Sequence, residues 1–239
     1  MIIKIGHVSV NYIQYGEGPD IVLLHGWGQN IEMMEPLGSK LLNSRITILD
    51  LPGFGKSSEP DTVWNIEDYT EFLKEFLIKV HVSNPTLIGH SFGGRIAICY
   101  SAKYKVNKVV LFGSPCIREK KELSFKEKTL KKLKKIPGLN ILSELAKNYI
   151  GSTDYKQATP RMRDILVRVI NQDLSNYAAL IKVPTLLIWG DLDVSAPLED
   201  AKKLEQIIPD AGLVILPGKT HYAYLEDLSK VTTILTKFL

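Results

Sequence analysis

Two periodicities of apolar residues trade places along this chain. Val8, Val10 and Tyr12 alternate with polar neighbours, with Ile13 breaking the rhythm. That pattern predicts a half-buried strand over Val8–Tyr15, paired with Ile2–Ile5 through a turn at Gly6-His7. Beyond the turn at Gly16–Pro19 the strand signal changes. Ile21–Leu24, Ile46–Leu49, Thr86–Ile88, Val106–Phe112, Pro184–Trp189 and Leu213–Leu216 are short runs, apolar almost throughout. Such a run has no polar face to give to water, so it predicts a strand covered on both sides, as in a parallel sheet wrapped by helices. Helices are predicted between them: Pro36–Leu42, Ile66–Val80, a stretch from Arg95 through Ala102, Leu198–Ile208, and a terminal helix Tyr224–Phe238. Ile66–Val80 is the clearest, with Tyr69, Phe72, Leu73, Phe76, Leu77 and Val80 on one face.

The rhythm of strand and helix stops after Ser114-Pro115. Residues 116–175 predict helices only, broken at Pro137-Gly138 and at Thr159-Pro160, before strands resume at Pro184. The expected architecture is therefore α/β, a mostly parallel, doubly wound sheet with a helical cap inserted after the sixth strand. Residues 1–115 and 176–239 would form the core, and 116–175 the cap.

Charge separates the same two parts. The chain carries a formal net charge of +4, too little to argue for a nucleic-acid partner. Within 116–175, however, fourteen Lys and Arg face seven Asp and Glu, while the remainder has a small acidic surplus. The inserted block thus has a surface character of its own. Lys131-Lys132-Leu133-Lys134-Lys135 places four cations within about one helical turn, so some must stand in solvent. No apolar run approaches the length of a membrane span, and the N-terminus lacks the apolar core of a leader. Cys99 and Cys116 are the only cysteines. Two isolated thiols suggest neither a disulfide framework nor a metal site, so a cytoplasmic location is the expectation. Oligomeric state leaves no mark in the sequence.

Chemistry in an open parallel sheet is expected in the loops at the carboxyl ends of its strands. Five such loops carry glycine or polar signatures: His25-Gly26-Trp27-Gly28, Asp50–Ser57, Gly89–Gly94, Gly190-Asp191-Leu192-Asp193 and Gly218-Lys219-Thr220-His221. In the third, a strand turns sharply into a helix with Ser91 at the corner. Gly89 and Gly93, two residues to either side, leave room for a crowded turn. The Ser91 hydroxyl would project from the strand end, with the Phe92 N–H at a helix N-terminus suited to developing negative charge. An ordinary glycine-rich turn would share these glycines. The Gly-Phe-Gly-Lys-Ser of the second loop lacks the full spacing of a phosphate-binding loop and more simply shapes a turn.

Taken in order, H-G-W-G, D-L-P-G-F-G-K-S, G-H-S-F-G-G, G-x-x-D and a late histidine before the last helix resemble the α/β-hydrolase family, and G-H-S-F-G resembles its G-x-S-x-G nucleophile elbow. The resemblance implies a serine esterase-type hydrolase with the triad order Ser91, Asp193, His221. It also implies an oxyanion hole from the backbone N–H groups of Trp27 and Phe92. No metal and no organic cofactor are implied, and the partner is a small-molecule substrate. Residue chemistry leaves Asp191 and Asp193 both open as the acid; the family's G-x-x-D, counted from Gly190, selects Asp193. Among five histidines, His7 sits in a hairpin turn and His81 closes a helix. His25 suits a brace of its glycine-rich loop, and His90 points away from the base position because it adjoins the serine. His221 is left as the base. His25, His90 and Arg95 are candidates for the substrate pocket. Arg95, four residues after Ser91, also resembles an arginine of menaquinone-pathway lyases on the same fold. C–C bond hydrolases of that fold, and ligand receptors that retain a slow triad, are the other classes the resemblance admits.

Overall fold

The computed structural model describes residues 1–118, 155, 156 and 158–239. The predicted break at Pro137-Gly138 and the lysine run Lys131–Lys135 lie outside the described residues. Strands β1 (Ile2–Ile5), β2 (Val8–Tyr15), β3 (Asp20–Leu24), β4 (Arg45–Leu49), β5 (Thr86–His90), β6 (Val109–Phe112), β7 (Thr185–Gly190) and β8 (Ala211–Leu216) build a single sheet. Their order is β1-β2-β4-β3-β5-β6-β7-β8. The pairs β1/β2 and β2/β4 are antiparallel, and every pair from β4 to β8 is parallel.

The unbroken apolar runs divide between two cores by strict alternation. Ile21 and Leu23 of β3, Ile88 of β5 and Ile188 of β7 face one side, packed with α1 (Ile31–Gly38) and α8 (Leu228–Phe238). Val22 and Leu24, Leu87, Leu187 and Trp189 face the other, against α2 (Ile66–Lys79), α3 (Phe92–Lys103) and α6 (Leu198–Ile207). Both layers are dry, so a residue such as Leu23, wholly buried, is worth about 2–5 kcal/mol against truncation to Ala. The doubly wound parallel sheet expected from the sequence is the one observed.

Three of the boundaries that differ from the sequence expectation have identifiable causes. Helix α1 begins at Ile31 rather than Pro36. Asn30 accepts from Glu32 N and the Asp50 carboxylate accepts from Ile31 N at 2.8 Å, so the first turn finds its acceptors early. Pro36 then lies inside the helix and forfeits only the bond its missing N–H would make. The terminal helix is two: α7 (Ala223–Glu226) stops at Asp227, whose φ of −140° is not helical and whose side chain caps α8. Strand β6 is shorter than Val106–Phe112, because Asn107 N is already bonded to Pro85 O in the approach to the sheet. Between β6 and β7 the described chain holds α4 (Pro160–Ile170) and α5 (Ser175–Ala178). Thr159 caps α4 and Pro160 opens it, the arrangement a Thr-Pro pair favours. Among the described residues no helix is long and apolar enough to cross a membrane.

Candidate functional site

Strand order reverses direction at β3: its neighbour on one side is β4 and on the other β5. A crevice opens at such a point, beyond the carboxyl ends of the strands. Here it is a cleft of about 940 Å³ whose lining includes Trp27 after β3, Ser91 and Phe92 after β5, and His221 after β8.

Ser91 occupies the corner between β5 and α3 with φ 49° and ψ −110°. This left-handed backbone is uncommon for any residue but glycine and is held here by surrounding packing. Its N–H donates to Phe112 O at 2.9 Å. The two flanking glycines are required by close approach. A Cβ on Gly93 would lie 2.2 Å from the Leu24 carbonyl oxygen, and one on Gly89 would lie 2.5 Å from Gly94 Cα. The turn therefore closes only where both side chains are absent.

His221 Nδ1 lies 2.8 Å from Asp193 Oδ2, so the ring donates there and presents Nε2 as its free nitrogen. The other carboxylate oxygen, Oδ1, accepts from Ser195 N at 2.9 Å and Ala196 N at 2.8 Å. With its side chain 1% exposed, Asp193 is aimed by two backbone donors and one imidazole. Gly113, at φ 48°, lets the chain after β6 pass beneath this pair; a Cβ there would be 3.0 Å from both Asp193 Oδ2 and His221 Nδ1. Asp191 is exposed and accepts from Gly218 N at 2.6 Å, tying the loops after β7 and β8 together without reaching the imidazole.

The three pocket candidates fare differently. His25 is wholly buried and does not line the cleft. Its Nδ1 donates to Gly26 O at 2.7 Å and its Nε2 accepts from Leu51 N at 2.9 Å, so both nitrogens are spent bracing two loops. Burial lowers its pKa to about 4 and keeps the ring neutral. The pocket expectation for His25 is thus corrected to the bracing one. His90 does line the cleft, wholly buried, with Nε2 3.0 Å from His221 O and Nδ1 3.2 Å from Gln29 Oε1. Burial, with the neighbouring His221, lowers its pKa to about 3. Arg95 also borders the cleft, but its Nη groups donate to the carbonyls of Pro115, Val169 and Gln172. It joins α3 to the end of α4. Its partners are carbonyls, and desolvation brings its pKa down to about 10.

Several contributors carried no signal legible in the sequence. Leu166, Val169 and Ile170 of α4 add apolar side chains to the cleft's lining, and Arg118 and Lys203 line it as well. Trp27, Phe54 and Phe92 pack edge to face, with Trp27 to Phe54 at 4.8 Å between centroids. A helix after Thr159-Pro160 was expected, but not which neighbour its apolar face meets. Cys99 and Cys116 are both buried and free. Among the described residues no group of three or more His, Cys, Asp or Glu is placed to hold a metal ion.

Residues 21–231 match a family model described as the alpha/beta hydrolase family. The chain is 28% identical to the pimeloyl-[acyl-carrier protein] methyl ester esterase of Nitrosospira multiformis, covering 98% of this chain and 99% of that one. It is 26% identical to the AB hydrolase superfamily protein YisY of Bacillus subtilis, over 97% and 96% of the two chains. Among solved structures, a bromoperoxidase from Bacillus anthracis superposes with a TM-score of 0.77 at 24% identity, over 97% of this chain and 95% of that one. At that identity the superposition speaks for the fold alone.

Proposed function

Since the chain belongs to the alpha/beta hydrolase family, we propose that it is a serine hydrolase cleaving a carboxylic ester, or a similar acyl bond, of a small molecule through an acyl-enzyme. The observation that carries this reading is the pairing of a strained serine corner, Ser91 at φ 49°, with a carboxylate-anchored imidazole bordering the same cleft. A neutral hydroxyl is a weak nucleophile and needs a base near its working pH. His221, with Nδ1–H held by Asp193, offers Nε2 for that role. As Ser91 Oγ attacks the ester carbonyl, Nε2 takes its proton. The oxyanion of the tetrahedral intermediate is received by the N–H groups of Trp27 and Phe92. Asp193 stabilises the imidazolium without taking the proton. His221 then protonates the departing alcohol, and a water deprotonated by the same nitrogen releases the acid.

The block 116–175 serves in this reading as a cap, with Leu166, Val169 and Ile170 as the apolar wall for the acyl chain. The named activity of the Nitrosospira relative makes methyl esters of medium-length acyl chains the first substrates to assay. Arg95, the residue that resembled the lyases, has its Nη groups committed to three carbonyls, which supports the ester-hydrolase reading over the lyase one.

The test is Ser91→Ala, assayed on p-nitrophenyl butyrate and on a methyl ester, with far-UV circular dichroism as the check on folding. We expect kcat/KM to fall by roughly 10⁴-fold or more with the spectrum unchanged. Retention of even a few per cent of the activity would remove Ser91 from the role of nucleophile.

A further inference from the structure

One imidazole touches three of the loops from which the cleft is built. His90 closes β5 and is bonded through the chain to Ser91. On one side, its Nδ1 faces Gln29 Oε1 at 3.2 Å, and that same oxygen accepts from Gly26 N at 2.9 Å. Gly26 precedes Trp27 in the loop after β3, and a Cβ on Gly26 would stand 2.8 Å from His90 Nδ1. On the other side, His90 Nε2 lies 3.0 Å from the main-chain oxygen of His221. A carbonyl oxygen can only accept, so Nε2 carries the proton and donates to it. The ring is wholly buried and stands 4.8 Å from the His221 ring, with Tyr224 closing the far side at 5.0 Å.

This bond matters because of where His221 is otherwise held. Asp193 fixes the imidazole at one atom, Nδ1. A ring fixed at one atom can still swing with its own main chain, and the loop after β8 is mostly exposed, with Gly218 at φ 70°. Fixing the carbonyl of the same residue leaves only the side-chain torsions, and Asp193 sets those. With the proton on Nε2, Nδ1 has none to give to Gln29 Oε1, so that contact is one of packing, and the ring is seated by its burial against Gln29, the His221 ring and Tyr224.

We propose that His90 is a positioning residue, which holds the main chain of His221 against the loop carrying Trp27 and so fixes the approach of the His221 ring to Ser91. The proposal rests on the reading of Ser91, His221 and Asp193 as a triad. Misplacement of a reacting group by about 1 Å can cost on the order of 100-fold in rate, so the loss should fall on kcat and spare substrate affinity.

The experiment compares wild type, His90→Phe, His90→Gln, Gln29→Leu and His90→Phe/Gln29→Leu as full-length proteins on p-nitrophenyl butyrate, with Ser91→Ala alongside. His90→Phe keeps the aromatic volume and removes the donor; we expect kcat to fall roughly 10–100-fold with KM changed by less than about threefold. His90→Gln restores a donor of similar reach and should recover a large part of the loss, a rescue that a mere packing role would not give. Gln29→Leu removes the acceptor of Gly26 N but no hydrogen bond to His90, so kcat should fall less than in His90→Phe, and the double variant should be no better than His90→Phe. Should His90→Phe fail to fold, His90→Leu, which also lacks the donor, takes its place in the comparison with His90→Gln. Wild-type kcat in His90→Phe, or a loss in His90→Gln as large as that in His90→Phe, overturns the proposal. If Ser91→Ala is itself active, the triad reading has failed instead, and the two failures are told apart on the same plate.

Discussion

Asp50 and Asp193 occupy equivalent places, each at the carboxyl end of a strand, each buried, each followed by a turn. Their surroundings give them opposite work. Asp50 accepts from Ile31 N at 2.8 Å, Lys56 N at 2.8 Å and Asn11 Nδ2 at 2.8 Å, so every bond it makes is to a fixed part of the scaffold. It pins the start of α1 and the loop after β4. Asp193 divides itself: one oxygen is fixed by Ser195 and Ala196, and the other is directed at a side chain that borders the cleft. A buried carboxylate is therefore not a sign of chemistry. The sign is one oxygen left for a group that can change its proton.

Exchanging each carboxylate for its amide sharpens this contrast and produces the largest effect of the comparison. In Asp193→Asn, the carbonyl oxygen can keep Ser195 and Ala196 while the NH₂ turns to His221 Nδ1. That forces the proton onto Nε2, the nitrogen proposed to accept from Ser91. We expect kcat to drop by about 10⁴-fold with little change in unfolding midpoint. Asp50→Asn should reverse the pattern, because an NH₂ would confront an N–H that had been satisfied. A loss of about 1–3 kcal/mol in urea unfolding is expected, with turnover per folded molecule changed only a few-fold. Equal activity losses in the two variants would break the comparison.

The next effect concerns the histidines beside these loops. His25 braces the loop of Asp50, since its Nε2 accepts from Leu51 N. Its pKa falls from 6.5 to about 4 through burial. The unfolded chain therefore takes up a proton as pH drops below 6.5, while the native ring stays neutral. Stability from this residue is complete above 6.5 and is lost progressively down to about pH 4, an amount on the order of 3 kcal/mol. His90, lowered to about 3, acts in the same direction. Urea midpoints at pH 7 and pH 4.5 should differ markedly in wild type and less in His25→Asn, although that variant starts from lower stability. A wild-type difference that His25→Asn leaves unchanged would place the acid sensitivity elsewhere.

How much of this was open to a reader of the sequence depends on the range over which each residue acts. The parallel sheet was legible in Ile21–Leu24 and its counterparts because strand burial writes itself into consecutive residues. The Ser91 corner was legible because its constraints, Gly89 and Gly93, lie within two positions. Helix α1 was misplaced because what starts it early, the Asp50 carboxylate on Ile31 N, is 19 residues away. His25 was assigned to a pocket and a brace at once; only the bond to Leu51 separates them. Gln29 was missed altogether, since a lone glutamine in a loop has no period and no motif. Arg95 was weighed as a pocket residue, yet it bonds to carbonyls 20, 74 and 77 residues on. Local chemistry was visible; the partners of buried polar groups were not.

Asp191 offers the finest test of the contrast, because it sits two residues from Asp193 in the same loop and residue chemistry alone did not separate them. It is exposed, and its side-chain bond to Gly218 N at 2.6 Å holds the turn after β8 rather than the imidazole of His221. In Asp191→Asn the amide oxygen can accept the same N–H, so the turn survives. We expect kcat/KM within about threefold of wild type and a stability change below about 1 kcal/mol, the usual range for an exposed hydrogen bond. Asp191→Ala removes the acceptor and should cost slightly more, through the turn that leads to His221. Measured with Asp193→Asn under one set of conditions, the pair gives a ratio near 10³ or greater if only one carboxylate serves the imidazole. A ratio near unity would mean that the loop as a whole holds His221, and an inverted ratio would make Asp191 the acid.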